Sequence, residues 1–118
     1  MKLRIKGNSI RLRLSKSEVE TLAWDGIVKE EISIGDTSFI YQLTKNESND
    51  LKAHFQNNTL TIQIPEEFAN KWPVNNIVGI DNKDIDSSSL HILVEKDFKC
   101  IDNTDEDQTD NYENPKAC

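Results

Sequence analysis

The feature that most constrains this 118-residue chain is a short pattern of polar and apolar residues that occurs twice, at a spacing of fifty residues. NSIRLRLS begins at Asn8, and NTLTIQIP begins at Asn58. In each copy a polar turn leads into a strand with alternating apolar residues, and the last residue, Ser15 or Pro65, can open a short helix. A unit used twice predicts a pseudo-symmetric fold of two strand-helix-strand repeats, which we interpret as a duplication.

The correspondence continues at the same spacing beyond the strand. The matched apolar residues are Ile10 and Leu60, Leu12 and Ile62, and Leu14 and Ile64 on the strand, Val19 and Ala69, and Leu22 and Trp72 on the helix, and Ile27 and Ile77, and Val28 and Val78 on the next strand. Chance recurrence of apolar alternation and helix caps in a β-rich chain is the alternative to duplication.

Local patterns place the first elements. Residues 2–6 and 9–14 alternate apolar and basic side chains on either side of a Gly7-Asn8 turn, which predicts a hairpin with one apolar face and one basic face. Ser15, with Glu18 three residues later, has the form of a capping box. A short helix is therefore expected to follow and to end near Gly26.

Similar signals predict the remaining elements. Pro65 suits the first position of a helix that runs through Trp72 and is ended by Pro73. Further strands are predicted over residues 27–34, 37–44, 51–55, 59–64, 77–80 and 90–95. The fold class is therefore mainly β (α+β): a small antiparallel barrel-like sheet with two short helices. Trp24 and Trp72 are expected to pack in the core under the barrel rim, with an aromatic contact in a partner site as the alternative.

Composition changes toward the C-terminus, where Tyr112, Ala117 and Cys118 are the only apolar residues after position 101. Such a segment cannot bury enough apolar surface to offset the entropy of ordering it. We therefore predict one compact domain over residues 1–98 and an acidic, irregular tail over residues 99–118.

The sequence also predicts a compartment. No stretch approaches the roughly 20 apolar residues that a membrane-spanning helix needs. Residues 1–6 alternate charge and lack the apolar centre of a secretory signal. We therefore expect a cytoplasmic protein with no membrane contact, in which Cys100 and Cys118 are reduced thiols rather than a disulfide.

Charge is unevenly distributed along the chain. The net charge of −7 argues against nucleic-acid binding, which needs cations to neutralise phosphates. Residues 1–24 nevertheless carry a net charge of +4, and residues 97–118 carry −5. The predicted binding residues are the cations of the first hairpin, Lys2, Arg4, Lys6, Arg11 and Arg13. We predict that this hairpin engages an acidic surface, and the nearest candidates are the tail residues Asp102, Asp105, Glu106, Asp107 and Asp110.

KGNSIRLR over residues 6–13 resembles the start of the swapped-hairpin proteins of the AbrB and MazE type, and TLTIQIPEEF over residues 59–68 resembles their strand-Ile-Pro-helix step. The resemblance implies interleaved hairpins that form a small barrel. Many members bind DNA through basic strand and loop residues, and antitoxin members carry an acidic tail that wraps a toxin. This makes a DNA-binding regulator or antitoxin the first alternative function.

The second copy departs from that pattern, because Thr61 and Gln63 stand where the first copy has Arg11 and Arg13. Half of a basic DNA-binding face is therefore missing. The whole chain also resembles a small uncharacterised bacterial family. The stretches that carry this resemblance are residues 6–11, 93–98 and 106–112. This second resemblance implies no activity.

The chain shows no clear chemical motif. Cys100 is far in sequence from Cys118 and from both histidines, and no calcium-loop register in the tail has glycine at the required position. We predict no catalytic residue, no metal ligand and no cofactor. The leading hypothesis is a non-enzymatic interaction module, as a monomer or weak dimer, with a protein partner possible. A small metal-binding protein that uses Cys100 and the tail is the second alternative.

Overall fold

The computed structural model describes residues 1–82 and 90–98. The strands are β1 (Lys2–Lys6), β2 (Ser9–Leu14), β3 (Ile27–Ile34), β4 (Thr37–Asn46), β5 (Lys52–Gln56), β6 (Thr59–Pro65), β7 (Gly79–Asp81) and β8 (His91–Lys96). The helices are α1 (Lys16–Asp25) and α2 (Glu66–Lys71), and a 3₁₀ turn (Trp72–Val74) follows α2. The prediction of a mainly β fold with two short helices is confirmed.

The strands form two four-stranded sheets, in the orders β1-β2-β8-β7 and β3-β4-β6-β5. In each sheet the central pair is parallel, β2 with β8 and β4 with β6, and the outer pairs are antiparallel. The arrangement differs from a single antiparallel barrel-like sheet, because both sheets are mixed and neither closes on itself. Parallel neighbours cannot be joined by a tight turn, and local alternation does not show which strands will pair in this way.

The two halves of the chain interleave. The N-terminal hairpin β1–β2 pairs with the C-terminal hairpin β7–β8, while β5–β6 pairs with β3–β4. The strands β1, β2, β3 and β4 correspond to β5, β6, β7 and β8. Replacing each strand by its counterpart turns the order β1-β2-β8-β7 into β5-β6-β4-β3, which is the order of the other sheet read in reverse. Neither half completes a sheet by itself, so each needs a hairpin from the other. A common origin of the halves by duplication stays a prediction.

The spacing of fifty residues holds for the first three elements of each half and then fails. β1 and β5, β2 and β6, and the first residues of α1 and α2 all keep it, but β7 starts at Gly79 rather than at position 77. The predicted match of Ile27 and Val28 with Ile77 and Val78 is therefore wrong. The 3₁₀ turn and the residues after it delay β7, and the exposed Ile77 and Val78 precede the strand.

The core lies between the inner faces of the two sheets and the two helices. It contains the alternating residues of β2 and β6, the helix residues that were matched at the fifty-residue spacing, and Leu43, Ile92 and Val94. Trp72 is fully buried, and its indole Nε1 donates a hydrogen bond to the Ile77 carbonyl at 2.7 Å. The core prediction is confirmed for Trp72.

The core prediction is wrong for Trp24, whose exposure is 86%. Trp24 follows Leu22 by two residues, which turns it about 200° around the helix from that buried side chain. The α-helix then ends at once, because Gly26 adopts the left-handed conformation with φ of 81°.

The helix termini explain why the elements begin and end where they do. The capping box of α1 is confirmed: Ser15 Oγ accepts from the Glu18 amide at 3.3 Å, and Glu18 Oε1 accepts from the Ser15 amide at 2.9 Å. Pro65 is the last residue of β6, so α2 begins one residue later than predicted. Lys45 Nζ and Lys96 Nζ, at the ends of β4 and β8, donate to carbonyls of Ala23 and Asn75, each at 2.8 Å, which places a cation at the end of each helical segment.

Candidate functional site

The five predicted binding cations lie on one face of the β1-β2-β8-β7 sheet, which we call the basic face. Ile10, Leu12 and Leu14 point into the core, so Arg11 and Arg13 between them point outward. The antiparallel register continues the face onto β1. Its cross-strand pairs are Lys2 with Arg13, Arg4 with Arg11, and Lys6 with Ser9. Like charges directly opposite each other are destabilising, so this face needs compensating anions.

Two carboxylates at the end of β8 supply part of that compensation. Arg13 Nε donates to Glu95 Oε1 at 2.8 Å, and Arg11 Nε lies 3.5 Å from the same oxygen. Lys2 Nζ lies 2.9 Å from Asp97 Oδ2. Parallel pairing of β2 with β8 puts Arg13 directly opposite Glu95 and accounts for this contact.

Sequence reasoning did not assign Glu95 to the site. Alternation along β8 was a usable signal, because buried Ile92 and Val94 require Glu95 to lie on the opposite face. The missing information was which strand lies beside β8.

Among residues 1–82 and 90–98, the basic face carries more cations than carboxylates. Its five cations share this side of the sheet with three described carboxylates, namely Glu95, Asp97 and Asp81. The Lys2 side chain is 75% exposed, whereas Glu95 is 17% exposed between the arginines. A face of this kind can bind carboxylates, and each exposed pair contributes about 0.2–1 kcal/mol.

The chain leaves the described domain next to the basic face. The Asp97 amide donates to the Leu14 carbonyl at 2.8 Å, which extends the β2–β8 pairing by one bond. Phe98 follows and lines a cavity of about 270 Å³ with Leu14, Val19 and Pro73. The predicted tail contacts Asp102, Asp105, Glu106, Asp107 and Asp110 lie outside the described residues, as does Cys100.

The corresponding face of the β3-β4-β6-β5 sheet carries different chemistry, and we call it the polar face. Thr61 and Gln63 occupy the positions of Arg11 and Arg13. Thr61 is buried, and its Oγ1 accepts a hydrogen bond from Gln42 Nε2 at 3.0 Å. Lys52 and His54 of β5 stand where β1 has Lys2 and Arg4. At Thr61 a hydrogen bond between neutral side chains therefore stands where the basic face has an ion pair.

A second charged site surrounds the amino group of Met1. This ammonium group contacts the carboxylate of Glu18 and lies 3.2 Å from Glu30 Oε1. The Tyr41 hydroxyl donates to the Met1 carbonyl at 2.9 Å. The site joins the start of β1 to α1, β3 and β4, so its role within the domain is structural.

The carboxylates perturb the titration of this site. Burial alone would lower the pKa of the Met1 amine, but hydrogen bonds from it to Glu18 and Glu30 outweigh burial and raise it above 8.0. Burial alone would raise the pKa of Glu18, but hydrogen bonds from the Met1 amine and from Ser15 lower it below 4.5. Burial, together with the charges of Glu30 and Glu18, raises the pKa of Tyr41 above 10.

Within residues 1–82 and 90–98, no three His, Cys, Asp or Glu side chains are grouped so that they could hold a metal ion. Because Cys100 and the tail lie outside those stretches, the metal hypothesis stays a prediction. No helix in the same stretches has the length and apolar character needed to cross a membrane.

Comparison with known proteins identifies a family. No curated protein and no solved structure matches this chain. One family model matches residues 1–116, which is nearly the full length. This confirms the resemblance to an uncharacterised family. The chain therefore belongs to DUF7009, a family of unknown function.

Proposed function

We propose that this protein is a non-enzymatic interaction module that binds an acidic polypeptide segment on its basic face. The observation that carries the proposal is the pair of arginines on one strand that share Glu95, with Lys2 beside them on Asp97. These contacts are carboxylate recognition within the domain, and the described part of the face carries five cations and three carboxylates. The same chemistry would accept aspartate and glutamate side chains from a further segment.

The chain's own tail is the acidic segment that lies closest in sequence to this face. Asp97 contacts Lys2, and the cations of β1 extend from there to Lys6 over about 14 Å. An extended chain from Phe98 to Asp102 also spans about 14 Å. The acidic residues from Asp102 onward can therefore reach every cation of β1, and a partner with a similar acidic segment would compete with them.

The DNA-binding alternative has less support from the charge pattern. A duplex reader of the swapped-hairpin type would use both outer faces, and the polar face has Thr61 and Gln63 where the basic face has arginines. Net charge of −7 further opposes approach to a polyphosphate. A cytoplasmic location and the division at residue 98 remain part of the proposal.

The test compares two full-length variants that each lose three acidic charges. The tail variant carries Asp102→Asn, Asp105→Asn and Asp107→Asn. The matched control carries Asp36→Asn, Glu47→Gln and Asp50→Asn, which are exposed acidic residues elsewhere. We expect the backbone amide resonances of β1 and β2 to shift in the tail variant at low ionic strength and to stay in place in the control. High salt should abolish the difference, because it screens exposed charges.

A second experiment supplies the tail as a separate peptide and asks whether it binds the same face. A synthetic peptide of residues 99–118, added in excess to the tail variant, should move the β1 and β2 resonances back toward their wild-type positions. A tail variant whose β1 and β2 resonances match those of the wild type, with no response to the peptide, would contradict the proposal.

A further inference from the structure

The strand β3 has one edge that pairs with nothing in the described stretches. It lies at the end of its sheet and pairs only with β4. With eight residues it is longer than β1, β5 or β7, the other strands at sheet ends. Natural proteins protect such edges with short strands or with charged side chains, especially lysine. β7 is short, and the three cations of β1 would repel a second copy of that strand. β3 is long, and its charged residues Lys29, Glu30 and Glu31 have both signs, so they can also attract a second copy.

The hydrogen-bond pattern shows which groups of β3 face this free edge. The Lys45 amide donates to the Gly26 carbonyl, and the Ile40 amide donates to Asn58 on the other side of β4. Because bonded and non-bonded pairs alternate in an antiparallel ladder, the even-numbered residues of β3 bond to β4. The amides and carbonyls of Ile27, Lys29, Glu31 and Ser33 therefore point away from the sheet.

The charges along that edge are self-complementary. Lys29 and Glu31 lie on the same outer face, two residues apart. If two copies of β3 pair antiparallel about a twofold axis at Glu30, each Lys29 stands opposite the Glu31 of the other copy. Moving the axis to Lys29 or to Glu31 would instead oppose identical charges. At the preferred axis the two Glu30 side chains face each other, but each already lies 3.2 Å from its own Met1 amine.

Exposed apolar side chains lie at both ends of this strand. Ile32 and Ile34 are 46% and 61% exposed near the hairpin tip, and Trp24 precedes the other end. In the register centred on Glu30, Ile32 pairs with Val28 of the other copy and Ile34 comes opposite Gly26, two residues after the exposed Trp24. The same pairing that matches the charges thus brings the apolar ends together.

We propose that the free edge of β3 is a homodimer interface, in which two copies pair antiparallel about Glu30 and join two sheets into one of eight strands. The contact is isologous, so it closes at two copies. It lies on a different sheet from the basic face and does not depend on the proposed function. A single strand pair with flanking apolar contacts is small for a stable interface, so the dimer is expected to dissociate on dilution.

The test is analytical ultracentrifugation of the full-length protein at increasing concentration, up to about 1 mM, at which complexes with dissociation constants of that order are populated. The mass should rise from 13.5 kDa toward twice that value. Lys29→Glu and Glu31→Lys each place like charges opposite each other, so each should weaken dimerisation about tenfold. Lys52→Glu, the same charge reversal on the edge strand β5, is the matched control and should leave the dimer unchanged.

Mixing the two variants separates this interface from any effect within one chain. A mixed dimer of Lys29→Glu and Glu31→Lys has opposite charges at both pairs, so the mixture should dimerise about tenfold more tightly than either variant alone. A wild-type mass of one chain at 1 mM would overturn the proposal. Dimerisation that is unaffected by Lys29→Glu, or not restored by mixing, would overturn it as well.

Discussion

The hairpins β1–β2 and β5–β6 share a backbone plan and differ on their outer surfaces. Position by position, the register is the same, so that Lys2 opposite Arg13 corresponds to Lys52 opposite Gln63. The inward residues of β2 and β6 are buried in both. The outward residues are cationic in the first hairpin and mostly neutral in the second. In a strand, alternate residues serve the core and the surface, so the surface can change chemistry while the core stays fixed.

The paired strands beside these hairpins change together with them. Glu95 of β8 stands opposite Arg13, and at the equivalent place in the other sheet Thr44 of β4 stands opposite Gln63. An acidic residue thus accompanies a basic one, and a hydroxyl accompanies an amide. The charge of the basic face therefore depends on two hairpins from opposite halves of the chain, β1–β2 and β7–β8, rather than on one repeat.

The prediction with the largest expected effect concerns the buried residues at matching positions of the two hairpins. It asks whether these residues contribute equally to the free energy of unfolding. Leu12→Ala and Ile62→Ala each remove a fully buried side chain at matching positions. Each should lower the free energy of unfolding by about 3 kcal/mol, because apolar contacts are lost and a cavity remains. Urea denaturation measures this. If one substitution costs less than about 1 kcal/mol, the two hairpins are not equivalent in the core.

A smaller effect tests the difference between the surfaces. Glu95→Thr leaves Arg11 and Arg13 without their shared carboxylate and should lower the free energy of unfolding by about 1 kcal/mol at low salt. Adding Arg13→Gln copies the neutral pair of the other sheet and should recover most of that loss. Urea denaturation of both variants at low and high salt checks the prediction. A double variant less stable than Glu95→Thr alone would contradict it.

The smallest effect concerns a charge that only one half possesses, since Phe68 stands where the first half has Glu18. The lowered pKa of Glu18 stabilises the fold above pH 4.5, and this contribution is lost as pH falls through the folded value. The raised pKa of the Met1 amine stabilises the fold below pH 8.0, and this contribution is lost as pH rises through the folded value. The contribution of this site to stability should therefore be greatest between these two values.

Glu18→Gln keeps a hydrogen-bond acceptor for the helix cap but removes the charge. It should lower the free energy of unfolding at pH 7 by less than about 1 kcal/mol and flatten the decline toward pH 4. Urea titrations at several pH values measure this, with Glu20→Gln on the exposed side of α1 as the control. The prediction fails if the two variants show the same decline in stability toward acid.

The sequence predicted those features that depend on local periodicity. Alternation along residues 2–14 placed all five cations on one face, and the capping pattern at Ser15 and Glu18 placed α1. It did not reveal Glu95 as a partner of Arg13, because parallel pairing across some eighty residues leaves no local pattern. Trp24 was misplaced because apolar character alone does not determine which side of a helix faces the core.

The interleaving of the two halves has a consequence for the order of events during synthesis. β2 is made early, but its parallel partner begins at His91, so the first sheet cannot form until nearly the whole domain has left the ribosome. By contrast, β3, β4, β5 and β6 are contiguous along the chain and can assemble earlier. Pairings between distant segments slow folding. The nascent chain should therefore fold the β3-β4-β6-β5 sheet first, with the cationic hairpin β1–β2 exposed until synthesis is almost complete.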